Sequence, residues 1–183
     1  MNASRNIATA LVDEARKGEP GAADRLVEAA WPHAFRIAYC IVRDREVAAD
    51  AAQEACAVLI GKIGQLRTPD AFAVWFYRIV TREAARLERR LARTHTVEAD
   101  EPFDPQPATI DRIDLTRALG HLPARQRAVI VLHYYADLNS REISSILRVP
   151  DGTVRFHLLA ARRTLRDLLS KAPTNLWEAF DAV

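Results

Sequence analysis

The sequence predicts an all-α protein: two small helical domains joined by a flexible acidic linker, the C-terminal one containing a helix-turn-helix. Three observations carry this. The 183-residue chain holds only six glycines and is rich in Ala, Leu, Arg and Glu, residues that favour helices. Apolar residues recur every three or four positions before and after residues 94–111, the period of a helix with one buried face. Between these stretches, Thr94–Asp111 has three prolines, five acids and few aliphatic residues. Such a segment buries too little apolar surface to offset the entropy of ordering it.

Composition narrows the function classes. Hydrophobic residues make up 49% of the chain, enough for a packed core, and the net charge of +2 singles out no partner; the distribution of charge matters more. Cys40 and Cys56 sit in helical patterns without metal-ligand spacing and read as small buried hydrophobes of a reducing compartment, with a redox pair as the lesser alternative. No signal-peptide stretch opens the chain. The longest aliphatic run, Ala128–Leu132, is far too short to span a bilayer. A soluble, cytoplasmic protein without membrane insertion is expected.

The first helix is expected over Ile7–Lys17, with Ile7, Leu11 and Ala15 four apart, and Gly18-Glu19-Pro20-Gly21 ends it. A long helix follows over about Ala22–Arg43, its apolar face built from Leu26, Ala30, Phe35, Ala38, Tyr39 and Val42. Pro32 should kink it or break it after Trp31. A third helix runs from about Arg45 to Ile63 with Asp44 as its cap. Asp50, Gln53, Glu54 and Ala57 share one side of it. That compact acidic patch suits docking of a basic or polar partner, and equally suits a solvated face.

Gly64–Arg67 reads as a loop. Thr68 is the expected cap of a fourth helix, with Pro69 at its first position, reaching to about Arg93. Phe72, Phe76, Ile79, Val80, Leu87 and Leu91 form its core side; Arg78, Arg82, Arg86, Arg89 and Arg93 form a basic row, with Trp75 at its head. An aromatic at the end of an arginine track fits single-stranded nucleic acid, because guanidiniums follow phosphates and rings stack on bases. In the competing reading, Trp75 packs inside and the arginines pair with Glu83 and Glu88.

The second helical unit begins at Ile113–Leu119, is broken by Leu122-Pro123, and continues over Ala124–Tyr135 with Val129, Leu132 and Tyr135. Asn139–Leu165 then reads as two helices and a tight turn. Asn139 and Glu142 have capping-box spacing, and Ile143, Ile146 and Leu147 give the short helix its apolar face. Arg148-Val149-Pro150-Asp151-Gly152 interrupts the pattern, because proline disfavours a helical residue before it and fits the first turn of a new helix. Val154, Leu158, Ala161, Leu165 and Leu168 make the buried stripe of the second helix. Gly152, Phe156, Leu159, Ala160 and Arg163 point outward, and Arg155, Arg162 and Arg166 line one flank. An apolar tip edged by arginines suits a DNA major groove, where arginine meets phosphates or guanine edges and apolar groups meet thymine methyls. The same helix could also merely close a bundle. The last residues, 171–183, form a short tail in which Leu176, Trp177 and Phe180 could make one packed turn; a disordered end fits the sequence equally well.

Nothing in the sequence signals an enzyme. It has no glycine-rich phosphate loop, no nucleophile elbow and no His/Cys metal spacing. His33, His95, His121, His133 and His157 are scattered and read as surface or satisfied histidines. No catalytic residue, metal or cofactor is expected.

Three strings match patterns of one known family. DREVAADAAQEA, Asp44–Ala55, is similar to a D-x-x-x-A-x-D-x-x-Q-E pattern. FAVWFYRIV, Phe72–Val80, looks like an F-x-x-W-L-Y-R-I-A segment. Ala118–Leu165 resembles a second conserved domain, with the L-P-x-x-x-R start, the E-I helix and the G-T-V turn. In this order the strings resemble the extracytoplasmic-function (ECF, group IV) sigma factors of bacterial RNA polymerase. The resemblance implies a region-2-like domain over residues 6–94, a linker over 95–112, a region-4-like domain over 113–170 and the tail. It implies an alternative sigma factor that binds core RNA polymerase and directs promoter-specific initiation. Asp50, Gln53 and Glu54 would dock on the clamp helices of the largest polymerase subunit. Trp75, Arg78, Arg82, Arg86 and Arg89 would bind and open the −10 element; Thr153, Arg155, Phe156, Leu159, Arg162 and Arg163 would bind the −35 element. The linker would thread the active-site and RNA-exit path. An anti-sigma factor, if there is one, would cover the docking face or wedge between the domains.

The sequence departs from the family pattern in places. Arg82 stands where asparagine is frequent, Cys56 and Ile60 replace aromatic residues of the docking helix, and Arg148 replaces a turn glycine, the residue easiest in a left-handed conformation. His157 and Ala160 stand where arginines are frequent, so a non-consensus −35 sequence or weak −35 dependence is expected. Two alternatives stay open at this point: a sigma-like decoy that occupies a partner without reading DNA, and an ordinary helix-turn-helix repressor or activator, which would leave the first domain unexplained.

Overall fold

The computed structural model describes residues 7–91 and 117–169, which hold helices, turns and short irregular connections and no strand. The helices are α1 (Thr9–Lys17), α2 (Ala22–Val42), α3 (Arg45–Lys62), α4 (Phe72–Leu91), α5 (Ala124–Tyr134), α6 (Ser140–Leu147) and α7 (Asp151–Leu169). Short 3₁₀ turns at Ile63–Gln65 and Pro69–Ala71 lead from α3 into α4. A helical end at residues 117–120 precedes α5. The acidic linker, Arg93, His95, Ile113 and the tail lie outside the described residues.

Helix α2 is the hub: it packs against α1, α3, α4 and α5. Leu26, Ala30, Ala34, Ile37 and Ala38 are fully buried along it, and each fully buried leucine or isoleucine stabilises the fold by about 1.5–3 kcal/mol relative to exposure. Ala48, Ala51, Ala52 and Ala55 are equally buried on α3, and their small side chains let α3 lie close against α2. Pro32 was expected to kink or break α2, but the helix runs through it unbroken from Ala22 to Val42. The lost amide donor is confined to one hydrogen bond. Buried Ala30 and Ala34 hold both sides of the gap, as does an aromatic stack in which Trp31 and Phe35 lie 5.3 Å apart and Phe35 and Tyr39 6.2 Å apart.

The ends of the helices follow their local chemistry. Asp44 caps α3 by accepting from the Val47 amide at 2.9 Å. Thr68 occupies the predicted capping position, but its side chain makes no capping bond; the chain there starts with the Pro69–Ala71 turn instead. Asn139 completes a capping box. Its side chain accepts from the Arg141 and Glu142 amides, and Glu142 accepts from the Asn139 amide. Arg148 ends α6 in the left-handed region (φ 54°). Pro150 sits just ahead of α7 rather than inside its first turn, and its carbonyl accepts from the Thr153 and Val154 amides.

The two helical units share one contiguous core. α5 packs on α2, and α6 packs on α4. At this seam the Arg127 guanidinium donates to the Ile41 carbonyl at 2.6 and 3.0 Å and to the Leu122 carbonyl at 3.1 Å. His33 Nδ1 lies 3.1 Å from the Tyr135 hydroxyl, and Arg78 donates to the Ser145 hydroxyl. Separate cores were not foreseeable or excluded from periodicity alone, since it fixes which face of a helix is buried and not what buries it.

Candidate polymerase and nucleic-acid interfaces

The acidic patch of α3 is where the sequence puts it. Asp50, Gln53, Glu54 and Ala57 are exposed on the side opposite the alanine stripe. Ile60, one helical turn beyond Cys56, extends this surface as an exposed apolar residue. Cys56 itself is buried, and burial pushes its thiol up to about 11. The Cys40 thiol is likewise pushed up to about 11 by burial, with Arg127 and Arg36 pulling the other way. Thiols this hard to ionise behave as packing groups. Both cysteines are free.

The basic row of α4 lies on the adjoining surface, but its members differ. Trp75 is half-buried, tilted against Phe72 at 6.2 Å, and packs on the core. Arg78 is half-buried and engaged by Ser145. Arg82, Arg86 and Arg89 are exposed. Arg82 and Arg86 both bond Glu83, which is only 6% exposed. The competing sequence reading therefore holds in part: Trp75 is half inside, and two of the arginines pair with Glu83. Burial alone would raise the Glu83 carboxyl, but hydrogen bonds from Arg86 and Arg82 outweigh it and hold its pKa below the ordinary value. Glu88 goes the other way, raised by burial despite Arg127 and Arg89. Arg86 also comes within 4.0 Å of Glu54, so the acidic patch and the basic row meet.

On α7, Val154, Leu158, Ala161 and Leu165 form the buried stripe as predicted, whereas Leu168 is 36% exposed. The helix has by then run past the core it packs on. Phe156 and Leu159 stand out at 65% and 69% exposure. Arg155 and Arg163 are exposed and Thr153 is partly so. Arg155 pairs with Asp151 on its own helix, and the Ser140 and Arg155 contacts keep the Asp151 carboxyl below its ordinary pKa. Arg162 is the exception in the predicted set. It lies over the Tyr134 ring at 5.4 Å, with Nη2 3.2 Å from His133 Nε2. That contact spans two helices, and no sequence period could have found it.

Among the described residues, no cluster of His, Cys, Asp and Glu could hold a metal ion, and no helix is long and apolar enough to cross a membrane.

Residues 26–94 match the family profile "Sigma-70 region 2" and residues 112–165 match "Sigma-70, region 4". These are the two helical units, in the order found here. The RNA polymerase sigma factor SigV of Bacillus subtilis is 28% identical over 141 residues, covering 75% of this chain and 84% of that protein. The ECF sigma factor SigM of Mycobacterium tuberculosis is 30% identical over 162 residues, covering 87% and 83%. The sigma factor RpoE of Bartonella quintana, solved in complex with the anti-sigma factor NepR, shares the fold with a TM-score of 0.72 at 20% identity, covering 82% of this chain and 98% of that one. The chain belongs to the ECF sigma factors, the alternative sigma factors that make core RNA polymerase promoter-specific. It is therefore not itself an enzyme; polymerase performs the chemistry.

Proposed function

We propose a division of labour among three surfaces. The α3 face carrying Asp50, Gln53 and Glu54 docks on the clamp helices of the largest polymerase subunit. Trp75, Arg78, Arg82, Arg86 and Arg89 of α4 bind and help to open the −10 element. Thr153, Arg155, Phe156, Leu159 and Arg163 of α7 enter the major groove of the −35 element, with Arg162 beside them. The boundaries at residues 6–94, 95–112 and 113–170 follow this division.

The observation that carries the reading is the meeting of the acidic patch and the basic row at Glu54 and Arg86. A protein that must hold polymerase and promoter at once needs opposite potentials on adjoining surfaces, each complementary to its own partner. The exposed apolar tip of α7 supports the −35 assignment, since Phe156 and Leu159 have no intramolecular reason to face water.

In the closed arrangement Arg78 is held by Ser145 across the seam. Use of Arg78 at the −10 element then requires α6 to leave α4. Opening of the seam is part of the proposed cycle, and an anti-sigma partner that acts by keeping it shut fits the same geometry.

Run-off transcription on a pool of genomic promoter fragments, with bacterial core polymerase, tests this. Specific transcripts are expected with the wild-type protein. They should vanish when Asp50→Lys and Glu54→Lys are combined, with polymerase binding lost in a pull-down. Transcripts that survive the reversal would remove the docking assignment; polymerase binding without any transcripts would remove the promoter-reading one.

A further inference from the structure

Glu83 is unusual on its helix. It is a carboxylate 6% exposed on a helix whose other charged residues reach solvent, and such burial carries a desolvation cost unless the charge is fully paired. Each of its oxygens takes one arginine. Oε1 accepts from Nε and Nη2 of Arg82 at 3.1 and 2.9 Å, and Oε2 accepts from Nε of Arg86 at 2.7 Å. The two guanidiniums nevertheless stay open to solvent, at 57% and 46% side-chain exposure. Arg82 spends one edge of its fork on Glu83. A guanidinium has five N–H donors in fixed geometry, so fixing one edge on Glu83 also restricts the orientation of the other, on a side chain 57% exposed.

We propose that Glu83 is a positioning residue for −10 recognition, locking Arg82 and Arg86 into one rigid pair that discriminates among opened −10 strands. This rests on the assignment of the α4 row to the −10 element. The charge balance favours discrimination over mere attraction. Two guanidiniums against the Glu83 carboxylate leave a net +1, lowered further by Glu54 at 4.0 Å from Arg86, where two free arginines would give +2, so Glu83 weakens the pull on phosphates. What it supplies in exchange is order. Long side chains frozen only on binding cost affinity, whereas a pair fixed beforehand meets its target without that cost and rejects a strand that does not fit. Arg82 is also where this chain departs from the asparagine frequent in its family, so the locked pair would give it a −10 preference of its own. The bland alternative is a helix-stabilising Glu–Arg pair, and it predicts different results.

The test uses the full-length protein assembled with bacterial core polymerase. The probe is fork-junction DNA with a randomised single-stranded −10 segment, and the bound fraction is sequenced. Wild type is expected to enrich a motif. Glu83→Gln keeps the size and removes the charge, so motif enrichment should fall about tenfold, the scale of one lost base contact, while total retention of the pool does not fall. Glu83→Asp keeps the charge but retracts the carboxylate by one methylene, and should flatten the motif too. Adding Glu83→Gln to an Arg82→Ala/Arg86→Ala protein should change the motif no further. A motif as sharp in Glu83→Gln as in wild type would overturn the proposal. So would a loss that tracks the folded fraction by circular dichroism and affects all sequences alike. A wild-type holoenzyme that binds the forks but enriches no motif would instead overturn the −10 assignment itself, and the proposal with it.

Discussion

The Arg127 guanidinium closes on the Ile41 carbonyl with two hydrogen bonds, at 2.6 and 3.0 Å. Ile41 lies in the last turn of α2, where carbonyls lack intrahelical donors. A cation there satisfies the acceptor and complements the helix dipole. The cap comes from the other helical unit, so one residue both finishes α2 and holds the seam. Burial lowers the Arg127 pKa, with Glu88 drawing it back up. Replacing Arg127 by Ala leaves the Ile41 and Leu122 carbonyls without this donor and should cost about 2–4 kcal/mol, read as a shift in the urea midpoint. Arg127→Lys should recover only part, since one ammonium cannot reproduce the fork. The radius of gyration of Arg127→Ala by small-angle scattering should rise; an unchanged value would mean the seam does not depend on this residue.

Arg148 takes the left-handed conformation that glycine adopts most easily (φ 54°, ψ 47°). For a side-chain-bearing residue this costs about 1–2 kcal/mol, part of which glycine gives back through its floppier unfolded chain. Arg148→Gly is therefore expected to stabilise the protein by about 0.5–1 kcal/mol. Thermal denaturation would show this as a midpoint a few degrees higher. A lower midpoint would show that the arginine side chain contributes more than its backbone costs.

These two residues also mark what the sequence discloses. The break at 148–152 was legible from Pro150 and Gly152, but the left-handed position of Arg148 only from the glycine that the resembling family carries there; the Asn139–Glu142 box was legible because capping is local. The acidic patch and the outward tip of α7 followed from the 3.6-residue period alone. Arg127 could not be read this way: its partner Ile41 is 86 residues away, and within its own helix it looks like one more polar position. Ser145 against Arg78 and Tyr134 beneath Arg162 are hidden for the same reason. Leu168 misled because periodicity does not say where the core ends. Glu83 was visible as an acid among arginines, but its burial depends on α4 packing against its neighbours, which no local rule contains.

Phe156 and Leu159 separate recognition from stability on α7. Both are largely exposed, so Phe156→Ala and Leu159→Ala should change stability by no more than about 0.5 kcal/mol. Transcription from promoters that depend on a −35 element should fall at least about tenfold. Arg162→Ala should behave differently, because Arg162 lies on Tyr134; losing a cation–π contact costs about 0.5–1 kcal/mol of stability. Parallel melting and run-off assays distinguish the two groups. If Phe156→Ala melts like Arg162→Ala and transcribes normally, the tip of α7 is not a reading surface.

The seam should also respond to pH through His33. Its ring nitrogen faces the Tyr135 hydroxyl at 3.1 Å. Burial first, and then the charge of Arg36, lower its pKa from 6.5. Tyr135 is raised by burial and stays neutral in this range, so it offers no compensating charge. As pH falls through about 6.5 the unfolded chain takes up the proton before the folded one does, so the His33 contribution is whole above that pH and is lost below it, down to the folded value. One proton limits the slope to about 1.4 kcal/mol per pH unit. Urea midpoints at pH 7.5 and 5.5 should therefore diverge more for wild type than for His33→Gln, which keeps a hydrogen-bonding group but cannot titrate. Equal divergence in the two proteins would place the acid sensitivity elsewhere.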